Sequence, residues 1–343
     1  MKTFSFKHIA PKIAALAIIV TVSNFLYIKY FYQSDLKKHS DLVDILNKIP
    51  ADTEILYVAE SSNTALHKND TIKKTISEFI DDAIPSKRVS DLTKPAAHAG
   101  IYKKLLKALP KKNKIETVIV TVNLRSFNAQ WIHSSLETAL QKSTIFLKPY
   151  PPLISRFLLS FKDYQIKSAV AQELAFKAKW ENDVLNIPYD FKHRNVADWD
   201  LWMAIEGVKN EDGSKNQALT ELACHYIKGY GFQIDTLNNP RISDFNDIIE
   251  IAQERNWHLI FNLLAENTEK AEILVGKDLI YLMRQNRNLL VNYFGRKGIT
   301  VVDNLEIVPD KYFIDQDWTT EHYSDFGRKK VALNVANEIA KLK

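Results

Sequence analysis

Only one cysteine, Cys224, stands in 343 residues, which excludes an intramolecular disulfide and a cysteine-built zinc cluster while leaving the redox compartment open. The sequence has no Walker loop, no dinucleotide fingerprint and no His-Glu-x-x-His, so nucleotide and zinc chemistry have no motif behind them. His98 and His133 lack partners at a metal-ligand spacing, and no metal or cofactor is expected. Acids are missing from the first 32 residues, where Lys2, Lys7, Lys12 and Lys29 supply four of the formal +5; the remainder carries about +1. A nearly neutral body has no electrostatic footprint for nucleic acid, and no nucleic-acid partner is expected. Repeats and low-complexity tracts are also missing. With 46% hydrophobic and 25% charged residues, the chain is globular. It is long enough for one large α/β domain with an insertion, or for two modest domains.

The longest apolar run covers residues 13–32 and is interrupted only by Thr21, Ser23, Asn24 and Lys29. Twenty such residues suffice to cross a bilayer. Lys2, Lys7 and Lys12 precede the run, and Tyr27, Tyr30 and Tyr32 cluster at its far end as an aromatic belt. The expectation is a cytoplasmic segment 1–12, a single-pass anchor 13–32 and a main domain on the extracytoplasmic side. A cleaved signal peptide is the rival, but no Ala-x-Ala site follows the apolar core. The absence of a lipobox cysteine excludes lipoprotein attachment.

Beyond the anchor, residues 33–49 read as a linker helix. Short apolar strands at 55–58, 88–92, 115–122, 257–264 and 299–302 alternate with helical stretches at 71–82, 101–109, 275–295 and 325–341. That alternation predicts a parallel sheet with crossover helices. Residues 146–250 break the rhythm with prolines that include Pro149, Pro151, Pro152 and Pro188, three tryptophans (Trp180, Trp199 and Trp202) and amphipathic stretches at 153–177 and 217–228, the latter ended by Gly229 and Gly231. They read as a mainly helical insertion within a domain spanning 50–343. The lysine run 94–114 reads as a solvated helix face, with contact to anionic lipid headgroups or an acidic glycan as the sharper alternative.

Two phrases carry candidate chemistry. Ala59-Glu60-Ser61-Ser62-Asn63 follows the first strand, and about 260 residues later comes Glu321-His322-Tyr323-Ser324-Asp325-Phe326-Gly327 before the last helix. A serine beyond the carboxyl end of a strand sits where open α/β sheets build their sites. Its hydroxyl needs a base to attack a carbonyl at neutral pH, and a histidine titrating near about 6.5 is the usual one. The bland alternative is a polar turn or helix cap. Asn123 directly follows the strand Val118 to Val122, with Arg125 and Ser126 next; an arginine there suits a carboxylate or phosphate.

These phrases resemble the SGNH (GDSL-like) acyl-hydrolase and acyltransferase superfamily, in which Gly-Asp-Ser follows strand one, an asparagine follows a central strand and Asp-x-x-His precedes the final helix. The likeness covers roughly residues 50–145 and 255–343. It implies an SGNH-like, flavodoxin-like three-layer α/β sandwich, Ser61 as nucleophile, His322 as base, and Asn123 with the Ser62 region as oxyanion donors. It also implies an acylated glycan or lipid of the cell envelope as substrate, a choice between hydrolysis and transfer, and room for a membrane-protein partner. The sequence departs from the pattern in two places. No glycine matches the second block, where Lys94-Pro95-Ala96-Ala97-His98-Ala99-Gly100 stands, and Thr319 occupies the position three before His322. Asp317 is taken as the acid behind His322, with Asp315, Glu321 or a backbone carbonyl left open. The competing reading is a noncatalytic envelope protein of the same fold, and a close approach of Ser61 to His322 is what separates the two.

Overall fold

A computed structural model describes residues 6–160 and 168–342; Lys2 and the middle of the stretch 153–177 lie outside them. Five strands form one parallel sheet: β1 (Ile55–Ala59), β2 (Val89–Thr93), β3 (Thr117–Val122), β6 (His258–Leu263) and β7 (Thr300–Asp303), in the order β2-β1-β3-β6-β7. Among the described residues, the strands between β3 and β6 form a two-stranded antiparallel ribbon, β4 (Val208–Lys209) with β5 (Lys215–Asn216). The central strands are apolar at nearly every position because helices cover both faces. Leu56 and Val58 point into one core with Val118, Val120 and Phe261, while Ile55, Tyr57 and Ala59 point into the other with Ile119 and Ile260. This two-residue alternation is the pleat itself.

The first core packs under the helices Ala99–Ala108, Pro240–Arg255 and Lys277–Gly295, and the second under Ile76–Ala83 and Asp325–Ile339. The result is a three-layer α/β sandwich with a doubly wound sheet. Counted within the sheet alone, the strand order is 2-1-3-4-5, and the direction of winding reverses between β1 and β3. A crevice opens at that switch point, beyond the carboxyl ends of the strands.

The expected elements hold, with shifted ends that have local causes. The helix expected from residue 71 begins at Ile76, because Thr75 and Glu78 form a reciprocal capping box and the amides of Thr71 and Ile72 are held instead by the Asp325 carboxylate. The long helix expected over 275–295 is found as Lys277–Gly295, and Gly276, with φ 109°, a conformation that favours glycine, parts it from a separate helix, Thr268–Leu274, that was not expected. The linker is likewise two helices, Tyr32–His39 and Leu42–Asn47, parted at Ser40, whose Oγ donates to the Ser143 carbonyl. Helical insertion elements do fill the space after β3, but Pro240–Arg255 is the crossover helix that returns the chain to β6 and packs on Ala99–Ala108. The core fold therefore resumes about ten residues before the expected boundary. At the amino end a helix runs over Phe6–Tyr30, of which the 22 residues Ile9–Tyr30, with mean hydropathy 1.9, are long and apolar enough to cross a membrane.

Candidate active site

β1 ends at Ala59, and Glu60 starts a single 3-10 turn over Ser61–Asn63 by accepting the Ser62 amide at 2.9 Å. Asn63 is buried and pins this turn, donating through Nδ2 to Thr93 Oγ1 at the end of β2 and accepting the Ser77 amide from the next helix. The hydroxyl of Ser61 is thereby fixed over the switch point. On the other side of the crevice, Phe313 and Tyr323 form an antiparallel bridge and the Ile314 amide donates to the His322 carbonyl. Residues 313–323 thus close into a loop that puts Asp315 and His322 side by side.

The two halves meet in one hydrogen-bonded line. His322 Nε2 lies 3.0 Å from Ser61 Oγ, and His322 Nδ1 lies 2.8 Å from Asp315 Oδ2. Thr320 Oγ1 donates to the same Asp315 oxygen at 2.6 Å. Asp315 rather than Asp317 is the acid beside the imidazole; Asp317 is exposed and does not line the cleft. The cause is the bridge, which turns residue 315 inward and leaves 317 on the outer bend of the loop.

What holds segments 261 residues apart in register is a buried ion pair behind the line. Arg328 is fully buried and donates to Asp70 Oδ2 at 2.7 Å, and to the carbonyls of Ala65, Lys74 and Tyr323. It stitches the chain after Ser61 to the chain after His322. Gly327 completes the fit, since a Cβ there would stand 2.7 Å from Tyr323 Cβ, closer than side chains pack.

Proton placement follows from valence. If Nδ1–H donates to Asp315, Nε2 carries a lone pair and receives the Ser61 hydroxyl proton. Ser61 Oγ is also 3.0 Å from Glu60 Oε2, and a hydroxyl has one hydrogen, so Glu60 can bond to Ser61 at the same time only as a protonated donor. Burial, and then repulsion from Glu321, raises the Glu60 pKa, which favours that neutral form.

The cleft holds about 160 Å³ and is lined by Ser61, His322, Asn123, Trp131, Trp318 and the Ala96–Ala97 turn, among others. Asn123 follows β3 as expected and its Oδ1 is buried with no partner, so the amide is not held on its oxygen side by protein. Two other expected roles are corrected. Ser62 is fully buried and its amide is spent on Glu60, which removes it as an oxyanion donor. Arg125 touches the cleft but is itself buried and clamped bidentately by Glu321, with Nε–Oε1 at 2.6 Å and Nη2–Oε2 at 2.5 Å. Its charge is therefore already neutralised and not open to an anionic substrate. Burial alone would raise the Glu321 pKa, but the Arg125 guanidinium holds it below the ordinary value, while burial and then Glu321 push that of Glu266 well up. This favours the protonated form of the Glu266 carboxyl, which accepts the Tyr230 hydroxyl beneath the site.

No family model and no curated protein matches this sequence.

Several contributors were not legible beforehand. Ala96 sits at φ 59° in a turn closed by the Ala97 amide on the Lys94 carbonyl. With Pro95 second and a left-handed residue third, this is the pattern of a type II turn, whose third position normally takes glycine. The Pro95 in the loop after β2 was the available signal. Glu266 and Tyr230 had none, because their meeting with Glu321 is purely tertiary. His98 is no ligand: its Nδ1 accepts the Gly100 amide and its Nε2 meets Glu137 at 2.7 Å. Among the described residues no cluster of three metal-binding side chains exists. In the lysine run, Lys94 is paired with Asp41 and Lys103 with Asp244 and Asp247, so part of that face is internally compensated.

Proposed function

We propose that the chain is a membrane-anchored, SGNH-like serine enzyme that cleaves an acyl ester and passes the acyl group to water or to an envelope hydroxyl, its substrate an acylated glycan or lipid. The observation that carries this reading is the continuous line Ser61–His322–Asp315 at the carboxyl ends of β1 and β3. That arrangement is the one a hydroxyl needs to become a nucleophile. Ser61 Oγ attacks the acyl carbonyl as its proton passes to His322 Nε2, and Asp315 stabilises the imidazolium. The carbonyl oxygen becomes an oxyanion facing Asn123, a donor of a kind worth roughly 2.7–4 kcal/mol of transition-state stabilisation. Collapse breaks the ester bond, and the leaving alcohol takes the proton from His322. An incoming hydroxyl then attacks the acyl-serine while giving its proton to His322 Nε2, and collapse breaks the acyl–Oγ bond as Ser61 takes that proton back.

The lysines before the apolar helix support a cytoplasmic amino terminus and an extracytoplasmic domain. The test is turnover of short and long p-nitrophenyl esters, with covalent capture by a fluorophosphonate, on the full chain in detergent. Ser61→Ala should abolish both. Ser62→Ala, at a side chain with no access to the cleft, should retain capture. A wild-type protein that neither turns over esters nor is captured would overturn the enzyme reading in favour of a noncatalytic binding protein.

A further inference from the structure

The helix Pro152–Leu159 lies against the end of the apolar amino-terminal helix, and one hydrogen bond fixes how deep. The Leu153 amide donates to Asn24 Oδ1 at 3.0 Å. Asn24 is six residues before Tyr30, the last residue of the apolar span, so at 1.5 Å per residue it sits about 9 Å inside that end. Alongside, Arg156 Nε pairs with Asp35 Oδ2 at 2.8 Å, and Tyr27 donates to the same carboxylate. Tyr32 makes tilted ring contacts with both Tyr27 and Phe146. The short helix is thus seated on the membrane-proximal end of the span, polar contacts above and Asn24 below.

We infer that Pro152–Leu159 is a second membrane-contacting element, immersed in the headgroup–acyl boundary on the domain side of the bilayer. The inference rests on the proposed membrane anchoring. Its outward positions are apolar: Phe157 is 62% exposed, Ile154 38% and the preceding Tyr150 47%. A depth of about 9 Å falls within the roughly 5–10 Å to which interfacial helices sink. The bond to Asn24 also has a reason there. In hydrocarbon an unpaired asparagine oxygen and an uncapped first-turn amide are both strongly unfavourable, and this contact satisfies both. Proline at the helix start removes a further amide that would need a partner. Two points of attachment, the span and this helix, would fix the tilt of the domain and hold the Ser61 cleft at a set orientation to the lipid surface.

The experiment uses the full chain with Cys224→Ala, single cysteines at Phe157, Ile154, Ile19 and Leu237, an environment-sensitive fluorophore, and phosphatidylcholine–phosphatidylglycerol vesicles containing spin-labelled lipids. Labels at Phe157 and Ile154 should emit to the blue and lose intensity most to spin labels near the headgroup. The label at Ile19 should lose most to labels deep in the chains, and that at Leu237, 91% exposed on the domain, should lose none. Phe157 and Ile154 behaving like Leu237 would overturn the inference while leaving the anchor intact. Blue emission without lipid quenching would also overturn it, assigning the surface to a protein partner. An unquenched Ile19 would remove the anchor and the inference together.

Discussion

Replacing Asp315 by asparagine keeps the shape of the loop and removes the charge that faces the imidazolium. The size of the loss can be worked from the 2.8 Å separation of Asp315 Oδ2 and His322 Nδ1. Coulomb's law gives about 6 kcal/mol at an effective dielectric of about 20 and about 1.5 kcal/mol in bulk water. The two side chains are 32% and 27% exposed, so solvent screens the pair and a value near about 3 kcal/mol is expected. At about 1.4 kcal/mol per tenfold, that is on the order of a 100-fold drop in the rate of fluorophosphonate capture and of ester turnover. The asparagine can also present its amide to Nδ1 and stabilise the wrong tautomer, which pushes the loss further. Asp317→Asn, on an exposed side chain outside the cleft, should stay within about twofold of wild type. Capture rates measured on both variants at neutral pH decide the matter. Equal rates for Asp315→Asn and wild type, or an equal loss in both variants, would refute the assignment of the acid.

Three further outcomes follow from the surroundings of the line. Asp70→Asn leaves Arg328 buried without its counter-charge and should destabilise the fold by about 3–5 kcal/mol, with capture at Ser61 falling as the two segments lose register; a denaturant midpoint unchanged from wild type would discount the stitch. Ala96→Gly relieves a left-handed alanine costing about 1–2 kcal/mol and gives back about 0.5–1 through chain entropy, so melting should rise by a few degrees at most, and a clear fall would count against strain at this turn. Burial works to raise the Glu137 pKa but is outweighed by His98 and Arg241, which bring it down to about 2 from 4.5. A depressed carboxyl contributes stability above its unfolded pKa and loses it as pH falls toward the folded one, here between about 4.5 and 2, on the order of 3 kcal/mol. Glu137→Gln should flatten unfolding free energy across that window, and an unaltered slope would assign the acid sensitivity elsewhere.

The sequence by itself determined the apolar span, the parallel strands and the places of Ser61, His322 and Asn123, because each depends on local pattern: hydropathy over one helix length, β-branched runs bounded by turns, and polar residues at strand ends. Tertiary structure alone decided the partners. Asp315 meets His322 because a Phe313–Tyr323 bridge folds that loop inward, a pairing no spacing rule contains. Arg125 is lost to substrate because Glu321, 196 residues away, clamps it, and Ser62 is lost because Glu60 takes its amide. Ala96 does a glycine's work in a turn whose conformation a sequence of alanines does not announce. The helix at Pro152 finds Asn24 across 129 residues. Hydrogen bonds and ion pairs of this kind act over about 3 Å in space and are indifferent to distance along the chain, so they become visible only when the fold closes.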